Sequence, residues 1–192
     1  QLQLEGVFGT VNRSIRTKDL QENGQLSDLK INILVCKHPY IGFETYHDEM
    51  NYIISHEKRN KIITGLARDL NGNTLILFNY VEKHGEPLWE MLNSRGEGKQ
   101  VFFVHGGVPT QEREEIRRIC ESSTNSIILA SYGTFSTGIN IKNLHNVIFA
   151  SPSKSRIRNL QSIGRALRLH DSKSRATLYD FADDISNGRN RN

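Results

Sequence analysis

Gln161, Gly164, Arg165 and Arg168 lie within the run NLQSIGRALR, residues 159–168. At 3.6 residues per turn these four positions share one helical face. Ile157, Leu160, Ile163 and Leu167 form an apolar stripe at helical spacing on the other. A glycine inside a helix costs about 1 kcal/mol relative to alanine, so its place beside a cationic face points to a close approach of the backbone there. The arginine guanidinium is a planar fork that matches two phosphate oxygens. Two of them one turn apart are candidates for clamping a polyphosphate, although the spacing alone fits a solvated basic face equally well. Lys154, Arg156 and Arg158 lie close by and read as surface charges.

A second candidate is ASYGTFSTGINI, residues 130–141. It reads as a strand running into a loop of small and hydroxyl residues that ends with Gly138 and Asn140. Such a loop presents backbone N–H groups and hydroxyls at a strand end, which suits phosphate oxygens; an ordinary polar strand-to-helix loop has the same composition.

Both segments sit in a regular alternation. INILVC (31–36) reads as a strand and residues 46–70 as one or two helices, stopped by Asn71-Gly72-Asn73. TLILFNY then reads as a strand, EPLWEMLNSR as a helix and QVFFVHG as a strand. TQEREEIRRICES is expected to be a helix capped by Thr110, with Glu112 to Glu115 in its first turn. SIILAS and HNVIFAS are strands, SKSRIRNLQSIGRALRL a helix and ATLYDFAD a strand. TKDLQENGQLSDLK is expected to hold a short helix ending at Gly24. Short, almost wholly apolar strands alternating with helices predict a parallel sheet covered on both faces. Ligands of such sheets bind at the carboxyl ends of the strands. Asn79, Tyr80, His105, Gly106 and the stretch from Ser131 to Asn140 all fall there.

Composition bounds the rest. The chain has 192 residues, 36% hydrophobic and 24% charged, and a net charge of +4. That is enough for one domain with a real core, and mildly basic, which permits a nucleic-acid partner without requiring one. Two cysteines far apart, Cys36 and Cys120, and seven scattered histidines give no metal-ligand spacing, so no metal site is expected. Asp48-Glu49 falls inside a predicted helix and reads as a solvated face. No apolar run reaches membrane-spanning length and no signal peptide opens the chain, so a cytoplasmic protein without membrane contact is expected. There is no GxxxxGK[ST] phosphate loop and no GxGxxG dinucleotide fingerprint. The chain opens on Gln1 in QLQLEGVFGTV and is expected to be a piece of something longer.

QSIGRALR resembles motif six of the superfamily two helicases, Q-x-x-G-R-x-x-R. SYGTFSTGINI resembles motif five, TLILFNYVEKHGEPL motif four and VFFVHGGVPTQERE the strand-loop motif that follows it. LEGVFGTV is similar to the segment that closes the first RecA-like domain of these proteins. The order agrees over roughly residues 26–185. The resemblance therefore implies residues 1–25 as the tail of a preceding domain and linker, 26–185 as a C-terminal RecA-like motor domain, and 186–192 as a polar tail.

In this family ATP, with Mg2+, sits between two RecA-like domains, and the first supplies the phosphate loop and metal carboxylates. The resemblance thus implies an N-terminal RecA-like partner domain in the same protein. Arg165 and Arg168 would reach the γ-phosphate, with Arg168 as the finger. Gln161 would orient near the nucleotide or its water, Gly164 would allow close approach, and Gly138 and Asn140 would line the nucleotide edge. Nucleic acid would run past Asn79, Tyr80, Lys83, His105, Gly106, Ser131 and Tyr132, with Tyr80 or Tyr132 as stacking groups. The substrate implied is DNA, branched or single-stranded, in recombination, repair and replication, and a phage-encoded member would act in the host cytoplasm. Asn140 stands where many relatives have aspartate and Tyr132 where many have threonine, with Ser131 as a substitute. A non-catalytic nucleic-acid-binding module and the motor part of a restriction translocase are the competing readings.

Overall fold

TLILF, SIILAS and NVIF are buried along their whole length, as strands covered on both faces must be. The computed structural model describes residues 28–39, 42–94, 98–138, 141, 143–152 and 175–185. Within these, β1 (Asp28–Lys37), β2 (Thr74–Phe78), β3 (Gln100–Val104), β4 (Ser126–Ser131), β5 (Asn146–Phe149) and β6 (Arg175–Asp184) form one sheet in the order β1-β6-β5-β2-β4-β3. Every pairing is parallel, with Leu75 level with Ile128 on one side and Val147 on the other. The expected RecA-like parallel α/β sheet is therefore observed. The short N-terminal helix expected before Gly24 lies outside the described residues.

Parallel strands are rejoined by crossovers over a face. α1 (Tyr46–Ser55), α2 (Glu57–Asp69) and α3 (Glu86–Asn93) supply one set of crossovers. Ile63 and Ala67 of α2 and Leu88 and Leu92 of α3 pack there on Ile76, Phe78, Ile127, Leu129 and Ile148. α4 (Thr110–Ser122) and α5 (Tyr132–Gly138) supply the other set. Ile116, Cys120, Tyr132 and Phe135 pack there on Leu75, Leu77, Ile128, Ala130 and Val147. The moves β1→β2 and β2→β3 run one way along the sheet and β3→β4 and β4→β5 the other, so handedness sends them to opposite faces.

Local details resolve one open point of the sequence reading, whether residues 46–70 hold one helix or two, and differ from it in two places. Residues 46–70 divide at His56, which ends α1 in extended backbone and caps α2, its Nδ1 accepting from the Arg59 N–H at 3.2 Å. The cap of α4 is Pro109, not Thr110; the Pro109 carbonyl accepts from Arg113 N, so Thr110 is already helical. The stretch after β4, expected as a loop, starts helix α5 at once, with the Ser131 hydroxyl accepting from Thr134 N at 3.3 Å. Asp48-Glu49 lies in the first turn of α1, where the Thr45 hydroxyl accepts from Asp48 N at 3.1 Å and donates to the Asp48 carboxylate at 2.7 Å.

The amino ends of the central strands converge on Asn73, which is fully buried. Its Nδ2 faces the carbonyls of Cys120, Ser123 and Asn143 at 2.7 to 2.9 Å, and its Oδ1 accepts from Ser126 N at 2.8 Å. One side chain thus closes the C-terminus of α4 and the approaches to β4 and β5. Gly72 precedes it with φ +85°, and a Cβ there would lie 2.5 Å from the His145 ring, so both conformation and space require glycine. Asn73→Ala should strand several buried polar groups and cost about 3 kcal/mol. A fall in the urea midpoint with an unchanged m-value checks this, and a shift of a few tenths of a kcal/mol would refute the hub.

Candidate functional site at the carboxyl ends of the strands

β2, β4 and β3 are neighbours, so the segments that follow them emerge side by side at one end of the sheet. Asn79, Tyr80 and Lys83 follow β2, His105 and Gly106 follow β3, and Ser131 and Tyr132 lie at the end of β4 and the start of α5. The seven residues expected to meet nucleic acid therefore share one edge, but they differ in exposure. Tyr80, Lys83 and Gly106 are exposed, and a Cβ at Gly106 would meet nothing within 4 Å. His105 is half-buried; its ring lies 5.0 Å from that of Phe103, and its Nδ1 accepts from Gly107 N at 3.2 Å.

Ser131 and Tyr132 are buried. Ser131 donates its hydroxyl to Thr134 Oγ1 at 2.8 Å and caps α5. Tyr132 is 1% exposed and packs against Phe149, with its O–H reaching the Ser151 carbonyl at 3.5 Å. Burial raises its phenol well above the usual range. Its ring offers no free face, whereas the Tyr80 ring is exposed at the same edge. An apolar position in the core claims an aromatic ring before a ligand can.

The loop after β2 is shaped by a single π-helical turn, Val81–Gly85, whose first bonds run from His84 N and Gly85 N to the Tyr80 carbonyl. Gly85 lies directly over Phe78; an added Cβ would stand 2.6 Å from that ring. This close approach seats His84 in the interior, fully buried. His84 Nε2 faces Asn60 Oδ1 at 3.2 Å and Nδ1 faces Ser151 Oγ at 2.8 Å. Ser151 Oγ also accepts from Asn79 N at 3.1 Å, and Asn79 Nδ2 donates to the Pro152 carbonyl at 3.1 Å.

A second buried group stands beside it. Arg59, 1% exposed, donates Nε to Asp183 Oδ1 at 2.8 Å and Nη1 to the Ala150 carbonyl at 2.7 Å. His38 Nε2 meets the same Asp183 oxygen at 2.9 Å and packs edge-on against Tyr52 and His56. Arg59 Nη2 and Asp183 Oδ2 are buried without hydrogen bonds; these are the two atoms that a side-on guanidinium–carboxylate fork would join. Burial, followed by the Asp183 charge, raises the Cys36 thiol nearby, and burial pushes Cys120 up to about 12, so both free cysteines are held as poor nucleophiles.

None of these buried partners stood out in the sequence. EKRNK looks like a solvated helix turn, and Asp183 lies 124 residues from Arg59. Of the residues expected to touch nucleotide, Gly138 is the last residue of α5. Asn140, Gln161, Gly164, Arg165 and Arg168 lie outside the described residues. Among the described residues no three His, Cys, Asp or Glu side chains group to hold a metal ion, and no helix is long and apolar enough to cross a membrane.

Burial lowers His84 from its ordinary 6.5 to about 3, with the Arg59 charge adding to the effect. Its neutral form is therefore native, and its contribution is complete above pH 6.5. Below that the unfolded chain takes up a proton that the folded chain refuses, so stability falls by up to about 1.4 kcal/mol per pH unit until the folded group titrates. Urea midpoints measured from neutral pH downward should fall more steeply for the unaltered chain than for His84→Gln; equal slopes would show that His84 is not held neutral.

The helicase conserved C-terminal domain model matches residues 57–170. The ATP-dependent DNA helicase uvsW of Enterobacteria phage T4 is 38% identical over 190 residues, covering 95% of this chain and 37% of that protein. The crystal structure of T4 UvsW superposes with a TM-score of 0.69 at 39% identity, over 83% of this chain and 33% of that one. The C-terminal domain of the DEAD-box protein Dbp5 shares the fold, with a TM-score of 0.55 at 16% identity, over 83% of this chain and 78% of that one. The chain thus spans little more than a third of the length of the phage helicase it matches. With six parallel strands among its described residues and its run of strand-end loops, this chain belongs to the helicase conserved C-terminal domain family and is a UvsW-like member of it.

Proposed function

We propose that this chain is the second motor domain of an ATP-dependent DNA helicase, that residues 26–185 form that domain, and that it completes an ATP site held mainly by an N-terminal RecA-like domain. The observation that carries this reading is the convergence at one end of the sheet. The loops bearing Tyr80, Lys83, His105 and Gly106 emerge beside Ala150–Pro152, where the chain leaves β5 towards Gln161–Arg168. Nucleic acid and nucleotide elements would then share one edge.

The topology supports an outward-facing arginine face. With this strand order, a right-handed return from β5 to β6 would run over the face that carries α4 and α5. On that face Ile31, Ile33 and Val35 form an alternating row, 55%, 64% and 60% exposed. The row is about 13 Å long at about 3.3 Å per residue. Leu160, Ile163 and Leu167 would span about 11 Å as a helix. Seating these three on the row would turn Arg165 away from the sheet with Gln161 and Arg168 on its flank, and Gly138 and Asn140 would line the same cleft.

Hydrolysis of ATP, with Mg2+ bound by the other domain, supplies the free energy. This chain's guanidiniums suit the phosphate oxygens. Arg165 and Arg168 would stabilise charge on the transferring phosphoryl group, an effect worth about 10³ or more in rate. Gln161 would orient the nucleotide or its water. Closure of the domains would shift Tyr80, Lys83, His105 and Gly106 along a DNA backbone. Branched DNA is the substrate class that the family resemblance implies, and a soluble setting in a host cytoplasm accompanies it.

In the full-length protein, Arg168→Ala should reduce ATP turnover about 10³-fold while leaving ATP binding within about threefold. Near-normal turnover would remove Arg168 from the mechanism. Contacts made mainly to phosphates should also weaken single-strand binding about tenfold or more between low and physiological salt. Salt-independent binding, read by anisotropy of a labelled oligonucleotide, would contradict that part.

A further inference from the structure

We propose that His84 is a positioning residue: it ties the nucleic-acid loop after β2 to Ser151 and Pro152, where the chain leaves β5, so that nucleic acid on that loop is coupled to this junction. This rests on the function proposed above and names a coupling within it. The hydrogen bonds fix one arrangement. Asn60 Nδ2 donates to the Ile54 carbonyl at 2.8 Å, which turns its Oδ1 towards His84 Nε2. Nε2 must therefore carry the ring proton and Nδ1 must accept. Ser151 donates its hydroxyl to Nδ1, and its oxygen in turn accepts from the Asn79 N–H. Each group in the chain Ile54, Asn60, His84, Ser151, Asn79 has a single role, and reversing any one would strand a buried polar atom.

The junction that this relay holds is tied at every carbonyl. Ala150 O accepts from Arg59, Ser151 O from Tyr132 and Pro152 O from the Asn79 amide. Asn79 thus ends on the junction twice, through its backbone N–H to Ser151 and its side chain to Pro152. It also directly precedes Tyr80, which is exposed at the same edge. A strand lying on Tyr80 cannot move this loop without moving Ser151–Pro152 or breaking both bonds. An apolar side chain at position 84 would fill the same space without the desolvation cost of two ring nitrogens. The polar relay is what a coupling element requires.

The test uses the full-length protein and compares ATP turnover without DNA and with oligothymidylate, fitting kcat, the KM for ATP and the half-saturating DNA concentration. His84→Gln keeps a donor for Asn60 and removes the acceptor for Ser151. It should lose stimulation by DNA about tenfold. DNA-free turnover and the KM for ATP should stay within about twofold. His84→Asn restores an acceptor near Nδ1 and should recover most of the stimulation. Ser151→Ala cuts that same link and the one to Asn79 N, so it should lose at least as much stimulation as His84→Gln, and the double variant should be no worse than Ser151→Ala alone. If His84→Gln does not fold, Ser151→Ala carries the same reading.

Unchanged stimulation in His84→Gln and Ser151→Ala overturns the proposal. So does an equal loss of DNA-free and DNA-stimulated turnover, or a loss that His84→Asn does not relieve, since either marks a merely structural role. A full-length protein with no DNA-stimulated turnover at all defeats the helicase reading itself, and the proposal with it.

Discussion

A parallel sheet cannot be closed by tight turns. Each strand must be re-entered from the same end, so every connection crosses a face and every carboxyl end opens on the same edge. In this chain, with the order β1-β6-β5-β2-β4-β3, that constraint divides the helices between the two faces. The strand-end loops are gathered without any direct attraction between them. Tyr80, His105 and Ser131 share an edge because Phe78 ends β2 level with Ser131, the last residue of β4, and Val104 ends β3 one residue earlier, level with Ala130.

The two ends of the sheet are finished differently. At the amino end, Asn73 ties α4, β4 and β5 with one amide, and the role is structural. At the carboxyl end, buried polar groups are more numerous and more expensive to hold. Arg59, Asp183 and His84 are taken out of water to hold Ala150–Pro152 against the loop after β2. A domain that needed only stability could fill these positions with apolar side chains. Their concentration where the chain departs towards Gln161, Arg165 and Arg168 is the feature that most separates this edge from the rest of the fold.

The strands were legible because a fully buried strand must be apolar throughout, and TLILF and SIILAS admit few other readings. The α4 segment was legible from its periodicity, and only its cap shifted, because proline can stand in extended backbone and lend its carbonyl to the first turn. The α5 helix was not legible: YGTFSTG has the small hydroxyl residues of a loop, and its helicity rests on burying Tyr132 and Phe135. The same burial removed Tyr132 from the surface, which no local pattern announces. His84, Arg59 and Asp183 were missed because their partners lie far away in sequence, and a charged or imidazole side chain between polar neighbours reads as solvated. Motif order pointed to a phosphate-facing arginine pair; the buried relay that would steer it became visible only in three dimensions.

The central claim is that this domain is one half of a nucleotide site. ATP hydrolysis by the isolated chain, measured with Mg2+ and single-stranded DNA beside the full-length protein, tests it most directly. The full-length protein should turn over ATP in a DNA-stimulated manner, while the isolated chain should remain at the background rate. Robust DNA-stimulated turnover by the isolated chain would contradict the account, because a complete site would then have to exist within these residues.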